Sequence, residues 1–463
     1  MQNIYDYIVI GSGPAGHTSA IIAAKLGLKV CVVEKDANML GGVCLNEGCI
    51  PAKSLYHSAK MFNLLKQAEH VNSPVKAEMM SYVLKSRQAA EQLRKGIAYL
   101  FKKNNIDNII GKAKFIDRDT IKVADKTKEG VVLKGKKILI AAGSNPKSLP
   151  GLVFDGKKIL ASSDLIRIDH VPKKILIVGG GAIGCEFASF FNMLGSDVSI
   201  LESQGRILPF ADEDISRTLE TILKKRGVSI LTDGVIKKSE IKLDSVQAAI
   251  LSKGETIMKE YDKLAVCVGR VPFTGELALD KAAVKLDKAG YIEVNGKMQT
   301  SAENIFAAGD VVNSPMLAHV ASYEGEVAAR NAAGEECFAD HSCMPNIVYT
   351  DVETASVGIT AQEAKKNGIT VVEGKQFFKA NGRAVANGET DGFVKVVVEK
   401  DSDKIIGAHI IGENASELIH EFVIAKKIGL TAEQMGAITH GHPTFSETSA
   451  EACRVVSGKT IYG

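Results

Sequence analysis

Cys44 and Cys49 stand with four residues between them in the stretch Gly41-Gly42-Val43-Cys44-Leu45-Asn46-Glu47-Gly48-Cys49-Ile50-Pro51-Ala52-Lys53. Two thiols this close can cycle between dithiol and disulfide, and the glycines let another group approach the backbone. An isolated pair at this spacing also suits a structural disulfide or two buried thiols. Near the other end of the chain lies His440-Gly441-His442-Pro443-Thr444-Phe445-Ser446-Glu447. A histidine titrates near neutrality, and a carboxylate partner fixes its tautomer and stabilises its protonated form. A redox dithiol needs such a proton acceptor, because the nucleophile is the thiolate. His442 with Glu447 is the first candidate for that base, Pro443 restricting the backbone beside it. His440 competes for the same role.

These groups need elements that also hold an electron acceptor, and the chain carries two. Tyr5 to Ile10 predicts a buried parallel strand, Gly11-Ser12-Gly13-Pro14-Ala15-Gly16 a turn, and the next residues a helix to about Leu26. Lys29 to Val33 predicts a second strand, ending at Glu34. In this βαβ unit Gly11 allows the tight turn and Gly13 lets a pyrophosphate reach the helix N-terminus, where free N–H groups favour anions. Gly16 lets the helix pack closely, and Glu34 can accept hydrogen bonds from a ribose. The pattern then repeats: a strand at Lys174 to Val178, the turn Gly179-Gly180-Gly181-Ala182-Ile183-Gly184, a helix, and a strand at Asp197 to Leu201 ending at Glu202. The interval from first glycine to acid is 23 residues in both copies. Both keep all three glycines and the acid, so two working nucleotide sites are expected. Glu202 favours NAD over NADP, since a carboxylate hydrogen-bonds a free 2′-hydroxyl and repels a 2′-phosphate. Arg206, the one nearby cation, does not by itself make a phosphate clamp.

Between and after these units the reading is coarser. A helix is expected near Lys53 to Gln67 and another over about Val75 to Asn104, with Leu93, Ile97, Leu100 and Phe101 as its core positions. The run Lys137 to Ser144, which includes Ala142 and Gly143, is a strand followed by a turn, and Pro146, Pro150 and Gly151 mark a domain boundary. A third strand-glycine-acid pattern ends at Asp310, which could bind a sugar or ribityl hydroxyl. From about Cys343 onward, short strands and helices with no fingerprint predict an α+β module suited to pairing. Cys31 and Cys453 read as buried structural thiols.

Composition agrees with an enzyme of this kind. The chain has 463 residues, 45% hydrophobic and 24% charged, with a net charge of +3. That charge is too small to make nucleic acid or an anionic membrane the main partner. No apolar run approaches the roughly 20 residues needed to span a bilayer. Met1 runs almost directly into a strand without a leader-like segment, so a cytoplasmic location is expected. Eight cysteines in this length are no disulfide scaffold, and in a reducing compartment a disulfide is more often catalytic.

The motif GGVCLNEGCIPAK, the two fingerprints, AENIFAAGD and HPTFSE together resemble the pyridine nucleotide–disulfide oxidoreductases over essentially the whole chain, in the same order. Within that family the likeness is greatest to the branch that oxidises dihydrolipoamide. The resemblance implies an α/β fold with two Rossmann-like dinucleotide-binding domains and a C-terminal α+β dimerisation domain. It places an FAD-binding domain with the redox disulfide at 1–148, an NAD-binding domain at 149–275, a central domain completing the FAD site at 276–342, and the dimerisation domain at 343–463. It implies a Cys44–Cys49 disulfide, with Cys44 exchanging with substrate and Cys49 nearer the flavin. His442, from the partner subunit of a homodimer, is then the acid/base, and Glu447 orients it. Lys53, paired with Glu186, tunes the flavin. Asp310 holds the FAD chain, with Met316, Ala318 and His319 alongside, and Gly269 makes a nicotinamide-side contact. The implied substrate is a lipoyl group on another protein of a multienzyme complex, of the 2-oxo acid dehydrogenase or glycine-cleaving kind. Three departures from the usual motif are Glu47, which adds a negative charge near the thiols, Ala52 in the same motif, and His17, beside the first fingerprint. A glutathione-reductase-like enzyme would want basic residues near Glu202. Mercuric and large thioredoxin reductases carry a cysteine pair in a C-terminal tail, and the stretch 457–463 has none.

Overall fold

A computed structural model describes residues 3–67, 77–124 and 130–462. Its first sheet has a parallel centre. The strands Asp107–Ile110, Val30–Glu34, Asn3–Ile10 and Val131–Ile140 lie side by side in that order, and Ile305–Ala307 pairs in parallel with the far half of Val131–Ile140. The near half of Val131–Ile140 carries an antiparallel ribbon, Lys112–Phe115 with Thr120–Ala124. Val30 to Glu34 is buried at every position, as expected of a strand covered on both faces. Helix α1 (Pro14–Lys25) crosses one face and lies against a later helix, Ala318–Ala332. Residues between Leu277 and Ala329 therefore share the first hydrophobic core with Tyr5 to Ile140.

The disulfide stretch leaves this sheet as two helices in succession. Helix α2 (Gly42–Glu47) carries Cys44, and helix α3 (Cys49–Gln67) begins at the second cysteine. The helix expected from Lys53 thus starts four residues earlier. Pro51 lies in its first turn, where a missing N–H has no intrahelical partner to lose. Helix α4 (Met79–Lys103) runs alongside α3. The first residues of the expected span, Val75 and Lys76, lie outside the described residues. Ile97 and Phe101 are buried as expected, but Leu93 and Leu100 are exposed. The buried stripe runs through Val83, Ala90, Ile97 and Phe101. At 100° per residue, Leu93 and Leu100 fall on the edge of that stripe.

The second sheet repeats the first in miniature, with five parallel strands in the order Ser229–Leu231, Asp197–Leu201, Lys174–Val178, Lys263–Val266 and Ile159–Leu160. The expected strands at 174–178 and 197–201 form over those residues. Helix α5 (Ala182–Met193) and helix α6 (Glu213–Lys225) flank it. A three-stranded antiparallel sheet, Gly234–Ile241, Val246–Ser252 and Glu255–Tyr261, leans on one side. A two-stranded ribbon, Ser144–Pro146 with Arg270–Pro272, ties the exit from the first sheet to the exit from the second.

The C-terminal part is a five-stranded antiparallel sheet, ordered Asn346–Val348, Thr354–Gly358, Ile405–Ile411, Phe393–Glu399 and Val371–Phe377. Helix α7 (Ala318–Ala332) leads towards it. Helices α8 (Ala415–Ile428) and α9 (Glu447–Val456) pack on it. A Cβ at Gly374 would overlap the Ala452 carbonyl, so α9 lies flush on the sheet. Lys395, on the sheet, is almost fully buried, and its ammonium reaches Asp212 (3.0 Å), Asp214 (3.1 Å) and Glu373 (2.5 Å). Burial disfavours the charged ammonium, but Glu373 and Asp212 outweigh that and raise its pKa. This buried cluster pins the entry to α6 against the C-terminal sheet. No helix among the described residues is long and apolar enough to cross a membrane.

Candidate active site

Cys44 and Cys49 form a disulfide with Cα atoms 4.8 Å apart, joining the middle of α2 to the first residue of α3. Three features hold α2 in place. Gly41 and Gly42 adopt φ of +91° and +73°. The Asn46 amide donates to the Leu40 and Gly42 carbonyls, both at 2.9 Å. Leu45 is buried, and a Cβ on Gly41 would collide with it and with Ile97 of α4. A Cβ on Gly42 would meet the Gly13 backbone, so the disulfide helix rests directly on the first fingerprint. Glu47 pairs with Arg167, beyond the first domain boundary expected from sequence; its charge is therefore partnered.

The two fingerprints are built alike. Gly11 and Gly179 take φ of +99° and +106°, and their N–H groups donate at 2.8 Å to Val33 and Leu201, in the neighbouring strands. A Cβ on either would overlap a carbonyl of the facing segment, Ala141 or Cys267. A Cβ on Gly16 or Gly184 would overlap the carbonyl oxygen of Gly11 or Gly179, so each helix sits hard against its own turn. The acids close the loops. Glu34 accepts from the Ser12 amide (3.0 Å) and hydroxyl (2.6 Å), and Glu202 accepts from the Gly180 amide (2.7 Å), the Gln204 amide (2.8 Å) and the Ser203 hydroxyl (3.1 Å). Arg206 is turned onto the Pro209 and Ala211 carbonyls (2.9 and 3.2 Å), which leaves it no posture as a phosphate clamp.

All of this opens into one continuous cavity of about 1730 Å³. Its wall holds Cys44 and Cys49, and from the first half Gly11, Gly13, Glu34, Lys53, Ala142 and Gly143. From the second half it holds Gly179, Gly181, Glu186, Glu202 and Gly269, and from the later segment Asp310, Met316, Ala318 and His319. Gly16 and Gly184 lie behind this wall, acting through packing. Helices α1 and α5 begin at Gly13 and Gly181 with no side-chain cap. Their first N–H groups are thus left for a ligand, and the helix dipole adds to the attraction for an anion. Two such uncapped ends, two buried acids at ribose distance in sequence and a cavity of this size fit two dinucleotides.

Lys53 and Glu186 meet where α3 crosses α5. The ammonium lies 2.8 Å from both carboxylate oxygens, Glu186 also accepts from the Tyr349 amide (3.0 Å), and the Tyr349 ring lies 4.5 Å from the ammonium. Ser144 donates to Asp310, and Arg270 donates to the Ser144 hydroxyl (2.6 Å) and carbonyl (2.7 Å). His319 hydrogen-bonds the Pro345 carbonyl at 2.8 Å, and burial holds its imidazole below the ordinary range. Tyr349, Ser144, Arg270 and Arg167 were not singled out in the sequence. Arg270 adjoins Gly269 and Ser144 adjoins Gly143, so adjacency to a motif was the one signal available.

His442 and Glu447 form a pair away from this wall. His442 Nδ1 is 3.0 Å from Glu447 Oε1, and Oε2 accepts the Thr444 amide at 2.9 Å. Burial works against the charged carboxylate, but the Thr444 amide and His442 prevail and hold it below its ordinary range. The His442 side chain is 74% exposed. His440 is only 12% exposed and turns to Glu421 (3.3 Å) and the Ile438 carbonyl (3.1 Å). Neither His442 nor Glu447 lines the cavity within one chain. Of the six free thiols, those at Cys31, Cys185, Cys267 and Cys453 are buried. Burial pushes Cys31, Cys267 and Cys453 up to about 12.

Comparison with known proteins gives the geometry a family. Residues 5–325 match the pyridine nucleotide-disulphide oxidoreductase model, and residues 344–453 match its dimerisation domain. The chain is 40% identical to dihydrolipoyl dehydrogenase of Geobacillus stearothermophilus, covering 99% of this chain and 97% of that one. It is 38% identical to the mitochondrial dihydrolipoyl dehydrogenase of Pisum sativum, over 99% and 92%. Among solved structures it resembles LpdA of Mycobacterium tuberculosis, with a TM-score of 0.90, 26% identity and coverage of 97% and 99%. The chain belongs to the pyridine nucleotide-disulphide oxidoreductase family.

Proposed function

We propose that this chain is a dihydrolipoyl dehydrogenase, which oxidises dihydrolipoamide carried on another protein to lipoamide and reduces NAD⁺. The observation that carries the reading is the Cys44–Cys49 disulfide in the wall of the one cavity that both fingerprints line. The likeness to dihydrolipoyl dehydrogenases over the whole chain supports it. In this reading 1–148 and 276–342 hold FAD, 149–275 holds NAD, and 343–463 pairs two subunits.

One substrate thiolate attacks Cys44 Sγ. A mixed disulfide forms, the Cys44–Cys49 bond breaks, and Cys49 leaves as a thiolate. The partner subunit's His442 takes the proton from the attacking thiol, and Glu447 holds that imidazole by Nδ1. The second substrate thiolate attacks the mixed disulfide, lipoamide leaves, and Cys44 departs with the remaining electron pair. FAD held by the first turn, Glu34 and Asp310 would supply a two-electron acceptor for the reduced pair and hydride chemistry towards NAD⁺. Lys53, tied to Glu186, sets a fixed positive charge on the cavity wall beside the pair. Glu202 selects the dinucleotide without a 2′-phosphate.

The match to the dimerisation domain supports a homodimer, in which His442 of one subunit serves the disulfide of the other. The lipoyl-bearing protein is a component of a 2-oxo acid dehydrogenase or glycine cleavage complex, and the enzyme works in the reducing cytoplasm. Replacing the exchanging thiol tests the assignment: Cys44→Ser should abolish dihydrolipoamide oxidation while FAD stays bound. Turnover that survives removes Cys44 from the mechanism.

A further inference from the structure

Glu324, on α7, is fully buried and lies outside the groups so far given a role. One of its oxygens accepts the Gly309 amide at 2.7 Å, and the other lies 2.8 Å from His341 Nε2. A buried carboxylate tolerates its surroundings only if its oxygens are hydrogen-bonded, and each of these has one donor. Gly309 needs that anchor. It sits at φ +74°, and a Cβ there would press on Ala15 of α1 and Ala321 of α7, at 3.3 and 3.2 Å. Gly325, next to Glu324, lets α7 lie flush on the Ala15 backbone, at the start of α1. The next residue after Gly309 is Asp310, on the cavity wall.

His341 comes from a different part of the fold. It lies in the segment between α7 and the strand Asn346–Val348, at the entrance to the C-terminal sheet. Its ring packs edge-on against Tyr323 at 6.2 Å. The neighbouring Asp340 donates its amide to the Tyr323 hydroxyl at 2.9 Å, and its carboxylate accepts from Lys427 of α8 at 2.6 Å. A continuous path of contacts therefore runs from α8 through Asp340 and His341 to Glu324, Gly309 and Asp310.

We propose that His341 and Glu324 are a positioning pair for the flavin. His341 fixes the Glu324 carboxylate, Glu324 fixes the Gly309 amide, and Asp310 is thereby held facing the cavity. The proposal rests on the reading of the first turn and Asp310 as the FAD site. It makes retention of FAD depend on a residue at the entrance to the C-terminal sheet that does not line the cavity.

The test is the rate at which the purified holoenzyme releases FAD on dilution, followed by the rise in flavin fluorescence, with the visible circular dichroism of bound flavin and the melting temperature of the apoprotein as companions. His341→Phe keeps the ring and removes the donor. His341→Gln restores an N–H at the position of Nε2. Tyr323→Phe loosens the same segment without touching Glu324. Losing a hydrogen bond to a buried charged group predicts release about tenfold faster or more in His341→Phe, with an altered flavin dichroism. His341→Gln and Tyr323→Phe should release FAD near the wild-type rate, with apoproteins that melt as the wild type does. His341→Ala, which needs less room, carries the same expectation if His341→Phe does not fold. Wild-type release from both donor-less variants, or equal acceleration in His341→Gln or Tyr323→Phe, would overturn the proposal while leaving the FAD site intact. A wild-type protein that takes up no FAD would overturn the flavin reading beneath it.

Discussion

Gly184→Ala should disable the second nucleotide site and spare the first. Gly184 is the third residue of α5, and an ideal Cβ there would stand 1.9 Å from the Gly179 carbonyl oxygen and 3.4 Å from Ile177 Cγ2. Non-bonded heavy atoms rest at about 3.5 Å, so α5 must lift by more than about 1 Å. The oxygen cannot yield, because Gly179 is clamped at φ +106° between the Leu201 carbonyl and Cys267. Overpacking of this kind costs roughly 1–3 kcal/mol. The lift also carries the uncapped N–H groups of α5 away from the pyrophosphate. Loss of one charge-assisted hydrogen bond, about 1.5–3 kcal/mol, weakens NADH binding by about 10- to 150-fold. The assay is NADH titration of the holoenzyme, beside anaerobic single-turnover reduction of the bound flavin by dihydrolipoamide. NADH affinity should fall, while flavin content and the rate of that first half-reaction stay at wild-type values. Unchanged NADH affinity, or loss of FAD from the first site, would refute the argument.

Two further outcomes follow from the packing and the thiols. Lys395→Met strands the fully buried Asp212 carboxylate and should lower unfolding stability by about 3–5 kcal/mol in urea, whereas Lys459→Met, at an exposed pair, should leave the transition in place. In native oxidised protein at pH 8, alkylation mapped by mass spectrometry should mark Cys337 and Cys343, the two partly exposed free thiols. Cys31, Cys267 and Cys453, pushed up to about 12 by burial, stay protonated at that pH and should be silent, gaining reactivity only as the pH climbs towards 12. Dihydrolipoamide should expose Cys44 and Cys49 as two new sites, and labelling of a buried thiol below pH 10 would contradict the burial argument.

What could be read from the sequence was what is local. The strands at 174–178 and 197–201 and the glycine turns between them are set within one βαβ unit, where hydrophobic runs and backbone demands are recorded in adjacent residues. Helix α3 starts at Cys49, ahead of the expected Lys53, because Pro51 is tolerated in a first turn. Leu93 and Leu100 were misread because periodicity gives an apolar stripe and not its edge. Partnerships across the chain left no trace: Glu47 with Arg167, Lys53 with the Tyr349 ring and Glu324 with His341 each join residues whose proximity depends on how separate sheets dock. The same limit applied to Ile305–Ala307, whose place beside Val131–Ile140 is a pairing over more than 160 residues.

The central claim is that the disulfide in this cavity passes electrons from dihydrolipoamide to NAD⁺. The most direct measurement is the rate of dihydrolipoamide-dependent reduction of NAD⁺ against NADP⁺ by the purified, FAD-loaded protein, with lipoamide and oxidised glutathione compared as acceptors in reverse. Rapid reduction of NAD⁺, little reduction of NADP⁺ and reverse turnover with lipoamide are expected. Turnover with glutathione alone, or with NADP(H) alone, would contradict the claim and make the chain a sister reductase on the same fold.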